Sequence, residues 1–205
     1  MEKSKKIVDF RGEDLYKDQA KQLLELEARF EEFNILKIEN KNVVRLEIIE
    51  RNIKYIPKEI FAFQDLKELN LEYNQLVSLP ESIGQFEHLE ILDLRNNQLK
   101  KLPKSIGRLT NLTRLSLSRN QLSSLPESLG SLKSLEILSF SENKLTSLPE
   151  SLGNLKNLRV MIADENSISQ FPPSYKNLRS LERLTITHNQ FRSLPPWIGE
   201  LGSLR

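Results

Sequence analysis

The sequence predicts an α/β solenoid, a fold in which short units of similar structure stack in one row. The stretch LKELNLEYNQLVSLPESIGQ, at residues 66–85, recurs almost without interruption to the end of the chain. An asparagine and a proline each recur every 23 residues, and fixed self-similarity of this size is typical of solenoids. The asparagines are Asn74, Asn97, Asn120, Asn143, Asn166 and Asn189, and the prolines are Pro57, Pro80, Pro103, Pro126, Pro149, Pro172 and Pro195.

Each repeat begins with a short predicted strand. Leu69 and Leu71 are two residues apart, so both side chains lie on the same side of an extended segment. A single unit cannot bury that side alone. Stacked units place leucine on leucine, which stabilises the fold by roughly 1.5–3 kcal/mol for each fully buried side chain.

The asparagine and the proline have separate structural roles. The chain turns sharply after the strand, and the amide of Asn74 has both a donor and an acceptor with which to bridge the backbones of adjacent coils. Pro80 starts the return leg, where its fixed φ suits the first turn of a helix. Residues 81–86 are therefore predicted to form a 3₁₀ helix or a single helical turn.

These residues carry a resemblance to a known family. The pattern LxxLxLxxNxL followed by LxxLPxxIGxLxxL resembles leucine-rich repeat proteins, and more narrowly the 23-residue intracellular class of Ras-suppressor, Scribble-type, plant Ras-group and many bacterial proteins. It covers residues 43–204 as seven units with no insertion. The resemblance implies a right-handed curved solenoid, with a parallel sheet on its concave face and protein–protein contact as its usual role. It is specific for the fold and weak for function.

The start of the chain differs from the repeats. Residues 13–33 contain neither Gly nor Pro, and Leu23, Leu26, Phe30 and Phe33 lie near one face of a helix. We expect this helix to cap the first coil, because solenoid ends need caps. A partner-binding or membrane-surface helix is the alternative, although the mixed charges of its polar side disfavour the membrane.

A hairpin is predicted between this helix and the repeats. Residues 34–47 contain two apolar-rich segments separated by Glu-Asn-Lys-Asn, which is typical of two antiparallel strands. The predicted domains are a cap at residues 1–42, with the helix and the first hairpin strand, and a leucine-rich repeat domain at residues 43–205. In the first repeat Arg51 stands at the asparagine position.

Two later segments depart from the pattern. The unit from Leu158 carries Met161, Ala163 and Phe171, and it has Tyr175-Lys176 where Ile/Leu-Gly is usual. Two interpretations of these unusual residues are open. The first is neutral repacking of the core, and the second is a local change of curvature or a binding spot. Leu204 would begin another unit and no polar cap follows it, so we expect either a fragment of a longer protein or association through this open end.

Composition excludes several classes of function. Lysine and arginine total 30 against 28 acidic residues, and their interspersed order is typical of a solvated surface rather than of a nucleic-acid-binding protein. The sequence has no cysteine, which favours a reducing compartment. The first residues lack the apolar core of a signal peptide, and no apolar run reaches membrane-spanning length. We expect a cytoplasmic protein without membrane attachment.

The sequence offers little material for catalysis. Its histidines are His88 and His188, and without cysteine it has no Cys-His pair or conventional zinc cluster. No phosphate-binding GxxxxGK[ST] motif occurs. We therefore predict no enzymatic activity, no cofactor and no metal. Trp197 is predicted to pack along neighbouring coil surface rather than to anchor a partner.

A binding face is predicted on the outward side of the strands, at the third, fifth, seventh and eighth positions of each unit. These positions give an acidic zone, then a belt of arginines, then an apolar group, and exposed isoleucine and valine have no role in solubility. The predicted partner-binding residues are Tyr73, Arg95, Arg114, Arg119, Ile137, Val160, Ile162 and His188.

Two functions from different classes follow. The first is a non-enzymatic interaction module or scaffold that binds a protein partner of unknown identity on the concave face. The second is the targeting or regulatory domain of a larger signalling enzyme, such as a GTPase, kinase or ubiquitin ligase.

Overall fold

The computed structural model describes residues 7–10, 13–30 and 36–205. An antiparallel pair, β1 (Ile7–Phe10) and β2 (Glu13–Tyr16), precedes helix α1 (Lys17–Phe30). Eight further strands form a single sheet in chain order. They are β3 (Leu36–Glu39), β4 (Asn42–Glu47), β5 (Glu68–Asn70), β6 (Ile91–Asp93), β7 (Arg114–Ser116), β8 (Ile137–Ser139), β9 (Val160–Ile162) and β10 (Arg183–Thr185).

The architecture is the curved α/β solenoid that the sequence predicts. Strands β4 to β10 are parallel and pair in register, so that each strand of a coil bonds to the strand of the next coil. Short 3₁₀ helices form the outer, convex side, each directly after a repeat proline. They are Lys58–Ala62, Glu81–Gln85, Lys104–Arg108, Glu127–Ser131, Glu150–Asn154, Pro173–Asn177 and Pro196–Glu200. The apolar core lies between sheet and helices, and Leu69 and Leu71 are both within it.

Helix α1 packs over the first coil, but it starts later than the sequence predicts. Residues 13–16 form β2 instead of helix, because pairing with β1 satisfies their backbone groups and buries Leu15. From Lys17 the predicted apolar face holds, and Leu23 and Leu26 are fully buried in the core. The predicted helix end at Phe33 lies outside the described residues.

A polar clamp fixes α1 to the sheet. The side-chain carbonyl of Gln19 accepts a hydrogen bond from the amide N–H of Val43 at 2.8 Å, and its amide group donates to Asn42 at 2.9 Å. The predicted hairpin is confirmed as β3 and β4, with Leu36 opposite Leu46. Its turn residues, Asn40 and Lys41, both have positive φ, as a type I′ turn requires.

Glycines set the close packing of the outer helices. A Cβ atom at Gly130 would lie 2.4 Å from the carbonyl oxygen of Ser151 in the next coil, and equivalent clashes arise at Gly84, Gly107 and Gly153. At the two end junctions Phe61 and Lys176 take the place of glycine, and the helices there pack less closely. The Phe61 ring stacks on Phe86, with 5.4 Å between ring centroids.

Aromatic residues fill the last junction. The ring of Phe171 lies 5.7 Å from Tyr175, 4.7 Å from Phe191 and 6.0 Å from Trp197. Trp197 therefore packs on a neighbouring coil, as the sequence predicts. The unusual residues of the unit from Leu158 are core residues here, since Met161 and Ala163 are fully buried.

Candidate binding face of the sheet

The outward face of the sheet is built from rows of side chains, one from each strand. Parallel pairing in register aligns the first residue of each strand from β5 to β10 with the first residue of its neighbour, and it aligns Arg45 of β4 with Glu68 of β5. We call the resulting line the Arg114 row, and it consists of Arg45, Glu68, Ile91, Arg114, Ile137, Val160 and Arg183. Adjacent members are about one strand spacing, ~4.8 Å, apart in the backbone.

The predicted acidic zone at β4 to β6 carries its own arginines. The guanidinium of Arg95 lies 2.8 Å from a Glu72 carboxylate oxygen and 2.7 Å from Asp93. Arg45 similarly contacts Glu47 at 2.8 Å and Glu68 at 3.3 Å. Four carboxylates of the zone thus share two arginines, so the zone is a set of ion pairs that keeps a net negative charge.

Burial changes the acidity of one of these carboxyls. Loss of hydration raises the pKa of Glu72 above its usual value, and the nearby positive charge of Arg95 opposes that rise. For Arg95 the pKa is raised, first by its hydrogen bond to Asp93. Arg95 therefore remains charged and tied to the face.

The three arginines predicted as a belt fall into two kinds. Arg95 is paired as described, and Arg119 donates to Glu142 at 2.7 Å across one coil. Arg114 is exposed, and no described residue forms a hydrogen bond or ion pair with its guanidinium. Arg183 has the same character at the other end of the apolar group, and sequence reasoning missed it.

The predicted apolar group is brought together. Ile137 on β8 pairs directly with Val160 on β9, and Ile162 follows two residues later on β9. All three side chains are half-buried on the outward face. Ile91, on the other side of Arg114, is a further apolar member that the prediction did not include. It lines a shallow groove of about 150 Å³ together with Arg114 and Asp93.

Tyr73 and His188 lie far from this group and from each other. Both are exposed, Tyr73 to 47%, but they belong to the second and seventh coils, five strand spacings or about 24 Å apart. Both sit at the turn after the strand, immediately before the repeat asparagine. The structure places Arg114, Ile137, Val160 and Ile162 in one cluster and leaves Tyr73 and His188 outside it.

That turn position has a backbone feature that sequence reasoning missed. The residue before each repeat asparagine, and before Arg51 in the first coil, has φ between 54° and 58°, in the left-handed region, although none of these residues is glycine. They are Glu50, Tyr73, Asn96, Arg119, Glu142, Glu165 and His188. The recurrence of Asn and charged residues at this position is a weak sequence signal for it.

The asparagines lie between coils. The side-chain amide of Asn97 donates to the carbonyl of Leu71 in the preceding coil at 2.9 Å and to Leu94 in its own coil at 3.1 Å. Its side-chain oxygen accepts from the amide of Leu76 at 2.9 Å. Each asparagine thus hydrogen-bonds backbone groups of the coil before it. The first coil has no preceding repeat, which explains why it accommodates Arg51 at this position.

The convex side offers a different kind of surface. A polar groove of about 770 Å³ runs between the outer helices and is lined by Gln64, His88 and Arg108, among others. In the described part of the chain, no three or more His, Cys, Asp or Glu residues are grouped as a metal site. Within the same residues, no helix has the length and apolarity needed to cross a membrane.

Comparison with known proteins gives consistent results. A family model described as a leucine-rich repeat region matches residues 16–144, and a leucine-rich repeat model matches residues 134–155 and 180–201. A leucine-rich repeat protein of Leptospira interrogans is similar in structure, with 40% identity and a TM-score of 0.76 over 79% of this chain. The aligned part is 41% of that protein. No curated protein sequence matches the chain.

Two further solved structures are similar to this chain. The PEPR1–AtPEP1 structure shares 27% identity and a TM-score of 0.75, covering 93% of this chain and 31% of the other. The ectodomain of the Arabidopsis thaliana receptor kinase GASSHO1/SCHENGEN3, in complex with CASPARIAN STRIP INTEGRITY FACTOR 2, shares the fold at 22% identity and a TM-score of 0.65. The aligned part is 83% of this chain and 27% of that ectodomain chain. The chain thus spans less than half the length of each of these proteins.

Proposed function

This chain belongs to the leucine-rich repeat family, and from that premise we propose that it is a non-enzymatic interaction module that binds a protein partner on the concave face of its sheet. Leucine-rich repeat domains are protein–protein interaction modules. The GASSHO1/SCHENGEN3 ectodomain was solved in complex with CASPARIAN STRIP INTEGRITY FACTOR 2, and it shares this solenoid architecture.

One observation carries the proposal. Ile137 and Val160 lie side by side on the outward face, half-buried. Arg114 and Arg183 lie at either end of them, and no described residue forms an ion pair or hydrogen bond with either guanidinium. The core does not need these side chains, because the inward-facing Leu138 and Met161 of the same strands are fully buried in it. Arginine is enriched among energetically important interface residues, and an exposed apolar group rimmed by polar residues is typical of an interaction surface.

A role within a larger signalling enzyme is the second candidate. One similar structure is the ectodomain of a receptor kinase, and the aligned part is 27% of that chain, so repeat units of this kind occur as sections of longer proteins. In that arrangement the same face would serve targeting or regulation. A cytoplasmic location is likewise our proposal, and it rests on the cysteine-free sequence.

Affinity capture with matched variants tests the proposal. Ile137→Asp/Val160→Asp places two charges on the concave face, and Gln85→Asp/Asn154→Asp places the same two charges on exposed outer helix ends. Glu81 and Glu127 are unsuitable as outer controls, because each carboxylate accepts the backbone N–H of a serine in the next coil at 3.0 Å. We expect the concave variant to lose the protein partners that the wild type captures and the outer variant to keep them. The reverse pattern would refute the concave site.

A further inference from the structure

In the Arg114 row, Arg114 and Arg183 lie one at each end of an apolar pair, and no described residue pairs with either guanidinium. In chain order across the sheet, Arg114 pairs with Ile137, Ile137 with Val160, and Val160 with Arg183. The other arginines of the outward face, Arg45, Arg95 and Arg119, are already ion-paired with carboxylates of the same face. Within the described residues, Arg114 and Arg183 therefore have charge left for a partner.

Strand geometry fixes the spacing of these four residues. Arg114 and Arg183 lie three strand spacings apart, about 14 Å, and the apolar pair occupies the middle of that span. An extended peptide rises about 3.3 Å per residue, so its residues i and i+4 are about 13 Å apart. Residues i, i+2 and i+4 of such a peptide project from the same side.

We propose that the row recognises an extended segment of a partner protein with the pattern acidic–x–apolar–x–acidic, lying across the strands. The two acidic side chains bind Arg114 and Arg183, and the central apolar side chain packs on Ile137 and Val160. This inference rests on the proposed function, and it adds the chemistry of the partner.

The arrangement selects side-chain carboxylates rather than a chain terminus. A terminal carboxylate could satisfy only one of the two arginines, and the other would remain unpaired. Guanidinium groups form paired, directional hydrogen bonds with carboxylates, which suits them to such recognition. A continuous polyanion fits less well, because the middle of the row is apolar and offers its charges no partner.

Synthetic peptides test the proposal. The probe is acetyl-Ser-Glu-Ser-Leu-Ser-Glu-Ser-amide, whose blocked ends leave the two glutamates as its charges, and binding to the full chain is followed by fluorescence polarisation of a labelled form. We expect saturable binding by the wild type. Arg114→Glu/Arg183→Glu should weaken it about tenfold or more, because two attractions become repulsions. A probe with lysine in place of both glutamates should bind this variant better than the wild type.

Two controls separate recognition from general charge. Lys100→Glu/Lys144→Glu makes the same change in net charge at exposed loop positions off the row, and it should bind the acidic probe like the wild type. A probe with its glutamates at i and i+2 should bind the wild type more weakly. Circular dichroism should be unchanged in both variants.

The outcomes are distinct from those of the capture experiment. Absence of wild-type binding to the acidic probe, equal loss in the loop variant, or no reversal with the lysine probe would overturn the acidic–x–apolar–x–acidic pattern. If Ile137→Asp/Val160→Asp still loses the captured partner in that case, the concave site stands and only the partner chemistry is wrong. If that variant keeps the partner, the proposed function itself fails.

Discussion

The side-chain amide of Asn120 donates a hydrogen bond to the carbonyl oxygen of Leu94 in the preceding coil, at 2.9 Å. The same nitrogen reaches Leu117 of its own coil at 2.9 Å, and its side-chain oxygen accepts from the amide of Leu99 at 2.9 Å. One buried side chain thus satisfies backbone groups of two coils. Similar contacts recur at the other repeat asparagines, so the turn after each strand depends on the coil that follows.

Replacing this asparagine should therefore destabilise the fold. We expect Asn120→Ala to lower the free energy of unfolding by about 1–3 kcal/mol, because backbone groups of both coils lose their partner in a buried place. Urea denaturation measures the change. Asn154→Ala, at an exposed outer position, should stay within about 0.5 kcal/mol of the wild type. Equal small effects at both positions would mean that the asparagine contacts do not stabilise the coils.

The outer glycines give a second matched pair. Gly130→Ala should cost about 1–3 kcal/mol, since the new methyl group would collide with Ser151 and the outer helices would have to separate. Gly199→Ala occupies open space, with nothing within 4 Å, and should be neutral or slightly stabilising. Thermal unfolding of the two variants distinguishes them. A neutral Gly130→Ala would show that the outer helices are free to move apart.

The left-handed turn residues give a third matched pair of variants. Glu165 has φ 54° and is exposed. We expect Glu165→Val to destabilise by about 1–3 kcal/mol, because a β-branched residue is strained at positive φ. Glu165→Gly should stay within about 1 kcal/mol, since relief of backbone strain offsets the greater flexibility of the unfolded chain. Chemical denaturation of both variants measures the difference. Equal stability of the two would contradict a left-handed turn at this position.

The packing of α1 over the first coil is tested by two leucines of one helix. Leu26 is fully buried, whereas Leu24 is 57% exposed. Leu26→Asp should cost about 3 kcal/mol or more by burying an unpaired charge, and Leu24→Asp should cost less than about 0.5 kcal/mol. Denaturation followed by circular dichroism gives both values. If the two substitutions prove equally mild, α1 does not cover the coil in solution.

The repeat made most of the fold predictable. A 23-residue period in leucine, asparagine and proline places the strands and outer helices of the repeats, because one coil's geometry is imposed on all of its neighbours. The predicted start of α1 was wrong. Residues 13–16 have a helix-compatible composition, and only the pairing of β2 with β1 makes them a strand. The left-handed turn also went unseen, because the recurrence of Asn and charged residues at this position is a weak signal and Tyr73 and His188 depart from it.

The binding face was less predictable than the fold. Sequence position identified Ile137, Val160 and Arg114 as outward-facing, and register brings them together. Whether an arginine is ion-paired depends on neighbours one coil away, such as Glu142 for Arg119. Only the three-dimensional structure reveals these pairs. The use of this face by a partner, and the narrower 23-residue class, stay predictions.

The most direct test of the central claim is methyl NMR of the chain with the partner recovered by affinity capture. Methyl resonances of Ile91, Ile137, Val160 and Ile162 should shift when the partner is added. Those of Ile83 and Ile106, buried beneath the outer helices, should stay unchanged. Shifts confined to the outer-helix isoleucines, with the concave methyl groups unperturbed, would contradict binding on the concave face.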